Sequence, residues 1–167
     1  LTQQAMPAYV IDKGIASPEL LSHVLVSKYA DHLPLYRQRL IYQRAGIELS
    51  RSTLSDWIGR CGVELEPLAN ALKEVVLQQQ VLHADETPVT IMRMGENEKK
   101  PKKGYVWAYA TTQYNPVQAV IYDFQDSRSG QHAAEFLKGW QGYLVCDDYS
   151  GYKARFKSGQ VIEVGCM

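Results

Sequence analysis

Two apolar runs in this chain of 167 residues carry acid where a strand would bury it. One is VLHADETPV, with Asp85 inside it; the other is GYLVCDDYSGY, which ends in the doublet Asp147–Asp148. A carboxylate at the end of an apolar run is costly unless a cation or a set of hydrogen bonds answers it. Two carboxylates brought together repel, so that one takes a proton or a cation neutralises both. Oxygen donors of this kind suit hard divalent ions, Mg²⁺ or Mn²⁺. A pair of such ions roughly 4 Å apart serves phosphodiester cleavage and transfer. For the doublet a plain turn competes with this reading, since DDYSGY is rich in turn-forming residues. Asp85, flanked by apolar residues in mid-strand, is harder to dismiss as idle. His83 shares a strand face with Asp85 under period-two spacing, at the same site or as a hydrogen-bonded structural histidine.

The acids meet only if the fold brings their strands together. At Val81 the pattern changes from helical spacing to short β-rich runs. VLHADETPVTIM predicts a first strand, GENEKKPKKG a solvated hairpin loop, and YVWAYAT and VQAVIYDF two further antiparallel strands. SRSGQHAAEFLKGW predicts a helix with Ala133, Phe136, Leu137 and Trp140 at i, i+3, i+4 and i+7. GYLVCDDY follows as a fourth strand, then a loop, then GQVIEVGCM as a fifth. A right-handed helical crossover returns the fourth strand beside the first and parallel to it, which makes Asp85 and Asp147 neighbours. This order and placement of acids suggests a ribonuclease H-like polynucleotidyl transferase, with helix capping and turn formation as the competing roles for such acids. The aromatic stripe Tyr105, Trp107 and Tyr109 reads as core or sheet face rather than as a platform for bases.

Residues 17–80 read as helical. Ser17 and Pro18 open a first helix that ends near HLP; a second runs from Pro34 through LYRQRLIYQRA, with Leu35, Leu40 and Ile41 inward and Gly46 as its stop. Ser50 or Ser52 caps a third helix carrying Leu54, Trp57 and Ile58, and a fourth is expected from about Pro67 to Gln80. Helix, glycine-containing turn and helix make a helix-turn-helix-like unit. The fold class is therefore α/β of the α+β kind, with a helical unit at 1–80 and a partial ribonuclease H-like domain at 81–167.

Arg51, Ser52 and Thr53, at the exposed start of the third helix, are candidates for DNA contact, as is Arg37 on the second. Lys102 and Lys103, with Lys99 and Lys100 across Pro101, and Arg128 in SRSG are candidates for the DNA backbone. Solvated faces, a soluble hairpin tip and helix capping compete with these assignments. The overall balance of 18 basic and 18 acidic residues gives no global electrostatic footprint for nucleic acid. Three widely spaced cysteines form neither a zinc ribbon nor a disulfide framework, and there is no G-x-S-x-G nucleophile motif. No apolar stretch reaches the roughly 20 residues of a bilayer span. The expectation is a cytoplasmic protein with no membrane contact. The chain opens at Leu1 without Met and stops on an apolar run, which reads as a piece of something longer.

Long blocks of the sequence resemble the central region of insertion-sequence 66 family transposases: LLSHVLVSKYADHLPLYRQ, GIELSRSTLSDWIG, HADETPV, KGYVWAYA, YDFQDSRSGQHAAEFLKGWQGYLVCDDYSGY and the terminal VGCM. The resemblance implies a DDE-type transposase with a ribonuclease H-like catalytic domain. Such an enzyme cuts and joins DNA ends with divalent metal, on transposon ends and target DNA, as a homo-oligomer in the active complex. The first family aspartate falls on Asp85. In the block L-x-x-D-x-Y-x-G-Y, Leu144, Tyr149 and Tyr152 set the register so that the second falls on Asp147, while Asp148 stands where a small residue is expected and remains a metal-ligand candidate. The third acid is expected on a helix beyond residue 167; Glu163 reads as a solvent-facing strand residue. The family's upstream cysteine-rich zinc segment is also absent, so the 167 residues alone are expected not to cleave DNA. A non-catalytic DNA-binding or assembly module, or a metal-dependent nuclease outside transposition, stands as the alternative.

Overall fold

The structure is a computed structural model that describes residues 10–12, 14–91, 101–157 and 159–165. Its elements run α1 (Pro18–Tyr29), α2 (Leu35–Arg44), α3 (Arg51–Leu77), β1 (Val81–Ile91), β2 (Lys102–Thr111), β3 (Val120–Gln125), α4 (Gly130–Phe136), β4 (Gly142–Cys146), α5 (Ser150–Phe156) and β5 (Val161–Gly165). The chain contacts divide it into two compact units that meet at Leu68 and Ala69.

In the first unit, Ser17 caps α1 by accepting a hydrogen bond from Leu20 N at 3.3 Å, and Ser50 caps α3 by accepting one from Thr53 N at 2.9 Å. Leu21, Val24, Tyr42, Leu49, Leu54, Trp57 and Cys61 form its core. The inward face of α2 differs from the expected one: Leu40 and Ile41 are exposed, and Gln38 and Tyr42 are buried. Gln38 is held inside because its Nε2 donates to the carbonyls of Val24 and Leu33, at 3.3 and 3.0 Å, where α1 turns into α2. Gly46, at φ 81°, ends the α2 turn in the left-handed region.

The expected third and fourth helices are one helix of 27 residues with Pro67 inside it. Pro67 suits a helix start, but a proline removes one backbone donor and does not by itself end a helix that packing supports on both sides. The unit boundary accordingly falls inside α3, not at 80/81. The last turns of α3 belong with the sheet, because Val76 is fully buried in the sheet's core and Leu77 packs against it.

The second unit is a five-stranded sheet in the order β3-β2-β1-β4-β5. β1, β2 and β3 are antiparallel; β4 joins β1 in parallel, and β5 joins β4 in parallel. This is the mixed sheet of the ribonuclease H-like class. Leu82, Ala84, Trp107, Tyr109, Leu144, Cys146 and Val161 turn to one face, where Phe136, Leu137, Trp140 and Tyr152 cover them. Tyr109 stacks on Phe136 with centroids 3.7 Å apart, and Trp107 meets the edge of Tyr152 at 5.8 Å. Period two sends His83 and Asp85 to the opposite face.

A loop was expected between β4 and β5. The chain forms α5 there, so DDYSGY is the entry to a helix rather than a free turn. Most of the expected hairpin loop, with Lys99 and Lys100, lies outside the described residues. Where α4 and α5 begin, two glycines touch: a Cβ on Gly130 would stand 2.7 Å from Gly151 Cα and closer still to its carbonyl oxygen. Because the obstacle is backbone, Gly130→Ala is expected to destabilise the fold by about 1–3 kcal/mol, the usual range for overpacking. A lowered urea midpoint with an unchanged m-value will show it.

Candidate active site

The parallel ladder between β1 and β4 pairs Val81 with Tyr143, Leu82 with Leu144 and His83 with Val145. Asp85, still within β1, and Asp147, one residue past the end of β4, each lie two residues beyond the last pair, so alternation sends both to its face. Both lie just past the end of the ladder, where β1 and β4 part. Both line one cleft of ≈ 300 Å³, together with His83 and with Ala108, Ala110 and Val145. The small side chains of β2 leave the room: Ala108 is the register partner of Asp85, and Ala110 that of His83. Asp85 Oδ1 accepts a hydrogen bond from Glu86 N at 2.8 Å, and Asp147 Oδ1 accepts one from Tyr149 N at 3.1 Å. One oxygen of each carboxylate is thus tied to backbone, which limits its rotation.

Asp148 points elsewhere. It is 95% exposed and pairs at 2.6 Å with Lys153 of α5, whose Nζ also reaches Glu163 of β5 at 2.6 Å. The hydrogen bond from Lys153 holds the Asp148 carboxyl below its ordinary range. Glu163 is the register partner of Leu144, which puts it on the helix-covered face, opposite to Asp85. The structure therefore gathers His83, Asp85 and Asp147, and leaves Asp148 and Glu163 on a separate surface ion cluster.

The residue that sequence reasoning missed is Glu86. Period two turns it to the helix-covered face with Leu82 and Ala84, and its side chain is 1% exposed. Arg128 donates to Glu86 Oε1 from Nε at 2.9 Å and from Nη2 at 2.5 Å; Tyr152 Oη donates to Oε2 at 2.8 Å. The guanidinium lies over the Tyr149 ring, 3.9 Å from its centroid, and Tyr149 Oη donates to the carbonyl oxygen of Arg128. The hydrogen bond to Glu86 holds the Arg128 guanidinium above its usual value; burial, reinforced by Glu86, does the same for the Tyr152 hydroxyl. The signal available in the sequence was parity: an acid between buried apolar positions on one face demands a cation, and Arg128 lies beside the crossover helix.

The other candidate side chains are dispersed. Arg51 and Ser52 are exposed at the start of α3, where Ser50 Oγ lies within hydrogen-bond distance of both Ser52 Oγ and Thr53 Oγ1. Arg37 donates to Tyr36 Oη at 3.1 Å. In the second unit Lys102 pairs with Asp126 at 2.6 Å, and Lys103 is exposed.

The donor set of the cleft fits a hard cation in part. Two carboxylates are what Mg²⁺ typically takes from protein, with water and phosphate oxygens filling the remaining positions. Among the described residues no group of three His, Cys, Asp or Glu side chains is placed to hold a metal ion. The site is thus two aspartates that a ribonuclease H-like sheet brings to one cleft where β1 and β4 part. Residues 13–167 match the family described as Transposase IS66 family, and the chain belongs to that family. Among curated relatives, uncharacterized protein y4qI of Sinorhizobium fredii is 40% identical over 95% of this chain and 31% of its own length. Uncharacterized protein y4jD of the same organism is 37% identical over 90% of this chain and 30% of its own. The chain thus spans about a third of the relatives it matches. Among solved structures, the Mos1 transposase paired-end complex with left transposon end aligns over 97% of this chain and 60% of that one, at 7% identity and a TM-score of 0.33.

Cys146 backs the cleft from the buried face, and burial pushes its thiol up to about 11. At pH 8 only about one thiol in a thousand is then ionised, and the thiolate is the reactive form. Cys146 is expected to resist iodoacetamide in the native protein and to react after denaturation, as peptide mapping by mass spectrometry will read.

Proposed function

We propose that this chain is the part of a DNA transposase that supplies two of the metal-binding carboxylates, Asp85 and Asp147, for divalent-metal-dependent strand cleavage and strand transfer of an insertion sequence. The observation that carries this reading is the convergence of the two aspartates, from separate strands, on one cleft of a chain in a transposase family. Mg²⁺ or Mn²⁺ bound there would activate the attacking oxygen and stabilise the leaving one. The chain's own part is to hold the carboxylate oxygens in place through the amides of Glu86 and Tyr149 and to present a shallow, small-residue floor to the substrate. DNA is the partner, as transposon end and target, and the active complex is a homo-oligomer. Among the described residues no helix is long and apolar enough to cross a membrane.

Titration of the protein with Mn²⁺, followed by electron paramagnetic resonance, tests the assignment. Asp85→Asn and Asp147→Asn are each expected to remove saturable binding with the circular dichroism spectrum unchanged, while Asp148→Asn keeps it. In a full-length family member, the equivalents of the first two substitutions are expected to reduce cleavage of a labelled DNA end to background. Retained Mn²⁺ binding in Asp85→Asn would reject the site.

A second reading rests on the count of acids. With two carboxylates and no third in the cleft among the described residues, the chain is a DNA-binding module whose chemistry, if any, needs residues from elsewhere. Exposed Arg37, Arg51 and Lys103 are its candidate phosphate contacts, beside Ser52, Thr53, Lys102 and Arg128. Under this reading Arg51→Ala is expected to weaken DNA binding and to reduce the slope of log K against log salt by about 0.9, the value for one lost phosphate contact. Fluorescence anisotropy at several salt concentrations measures it.

A further inference from the structure

We infer that Glu86, Arg128, Tyr149 and Tyr152 form a positioning clamp that sets the spacing of Asp85 and Asp147; this rests on the metal-site reading above. The backbone ladder between β1 and β4 stops at His83 and Val145, short of both aspartates. Beyond that point a side-chain chain takes over. It starts at Glu86, next to Asp85, and crosses through Oε2 to Tyr152 Oη of α5 and through Oε1 to Arg128. Arg128 lies against the Tyr149 ring, and Tyr149 N holds Asp147 Oδ1. Each aspartate is therefore one or two residues from a member of the network, and the network links their two segments past the end of the ladder.

The glycines fit the same device. A Cβ on Gly151 would run into the Tyr149 ring, so that position is bare where the ring lies against Arg128, and one on Gly130 would run into the backbone of Gly151. None of the four clamp residues faces the cleft; they act through the placement of the aspartates.

The test compares Mn²⁺ affinity in Tyr152→Phe, Glu86→Gln and Arg128→Lys with that in Leu137→Ala. Leu137 is buried in the same core but is not part of the network. Tyr152→Phe keeps the ring packed on Trp107 and removes only the hydroxyl. Arg128→Lys keeps the charge and loses the two-pronged contact. All are measured at a temperature where melting curves show the protein folded.

The clamp variants are expected to raise the Mn²⁺ dissociation constant about tenfold or more, as loss of a group that orients a ligand does. The Leu137→Ala control is expected to leave it unchanged despite a lower melting temperature. In the metal-free protein, hydrogen exchange at the Tyr149 amide is expected to speed up in Tyr152→Phe and not in the control. Unchanged affinity and exchange in the clamp variants, with Asp85→Asn abolishing binding, overturns the clamp and leaves the site standing. Faster Tyr149 exchange in a protein whose Mn²⁺ binding is indifferent to Asp85→Asn overturns the metal site, and with it any role of the clamp in metal binding.

Discussion

Three residue pairs hold β1 against β4, and the relation between the two aspartates depends on their register. A slip of one residue would turn every side chain of β4 to the other face. Asp147 would enter the core beside Leu82 and Ala84, and Asp148 would take its place on the open face. Contacts at the start of β4 oppose that slip. Tyr143 N donates to the Gln80 carbonyl at 2.8 Å, and Trp140 Nε1 donates to the Gln79 carbonyl at 2.9 Å. A Cβ on Gly142 would collide with the Gln80 carbonyl oxygen, so the approach of β4 to the chain just before β1 requires glycine there. The register is set at one end of the ladder and read out at the other.

Electrostatics explains why the readout end needs more than a ladder. Two carboxylates about 5 Å apart repel by about 1 kcal/mol at the dielectric constant of water and by about 3 kcal/mol at an effective value of 20. Without a cation, carboxylates brought that close would push apart strand ends that the ladder no longer binds. Glu86 supplies the opposing attraction from the other face of β1. A buried carboxylate that lost one of its partners would cost about 3–5 kcal/mol, a larger figure than the repulsion. The arrangement is also one-sided: Arg128 is 44% exposed while Glu86 is buried, so the desolvation falls on the acid and the hydrogen bonds from Arg128 and Tyr152 must offset it.

The placement of Asp85 and Asp147 on one cleft was legible in the sequence because each interrupts or ends an apolar run, and because strand order alone brings such runs side by side. The five strands and the crossover helix were legible from alternation and helical spacing. What was not legible came from residues with two meanings. Pro67 serves equally as a helix start and as a tolerated interior residue, and only the burial of Val76 shows that α3 continues into the core of the sheet. DDYSGY has turn composition, yet Tyr152 gains a buried hydrogen bond and an aromatic neighbour only if the segment coils into α5. Gln38 looks like a surface residue until the α1–α2 turn leaves two carbonyls for it to satisfy. In each case a tertiary contact outweighed a local preference.

The D-x-Y-x-G-Y block acquires a physical meaning at every fixed position. Its aspartate is on the open face by strand parity, and the first tyrosine both orders that aspartate through its backbone amide and lies under Arg128 through its ring. The glycine leaves room for that ring, and the second tyrosine reaches back to the acid beside the other aspartate. The position after the aspartate faces solvent and has no partner in the network. An aspartate is tolerated there because Lys153, one residue beyond the block, draws it toward Glu163 and away from the cleft. Parity and a surface ion pair, rather than acidity, decide which member of the doublet faces the site.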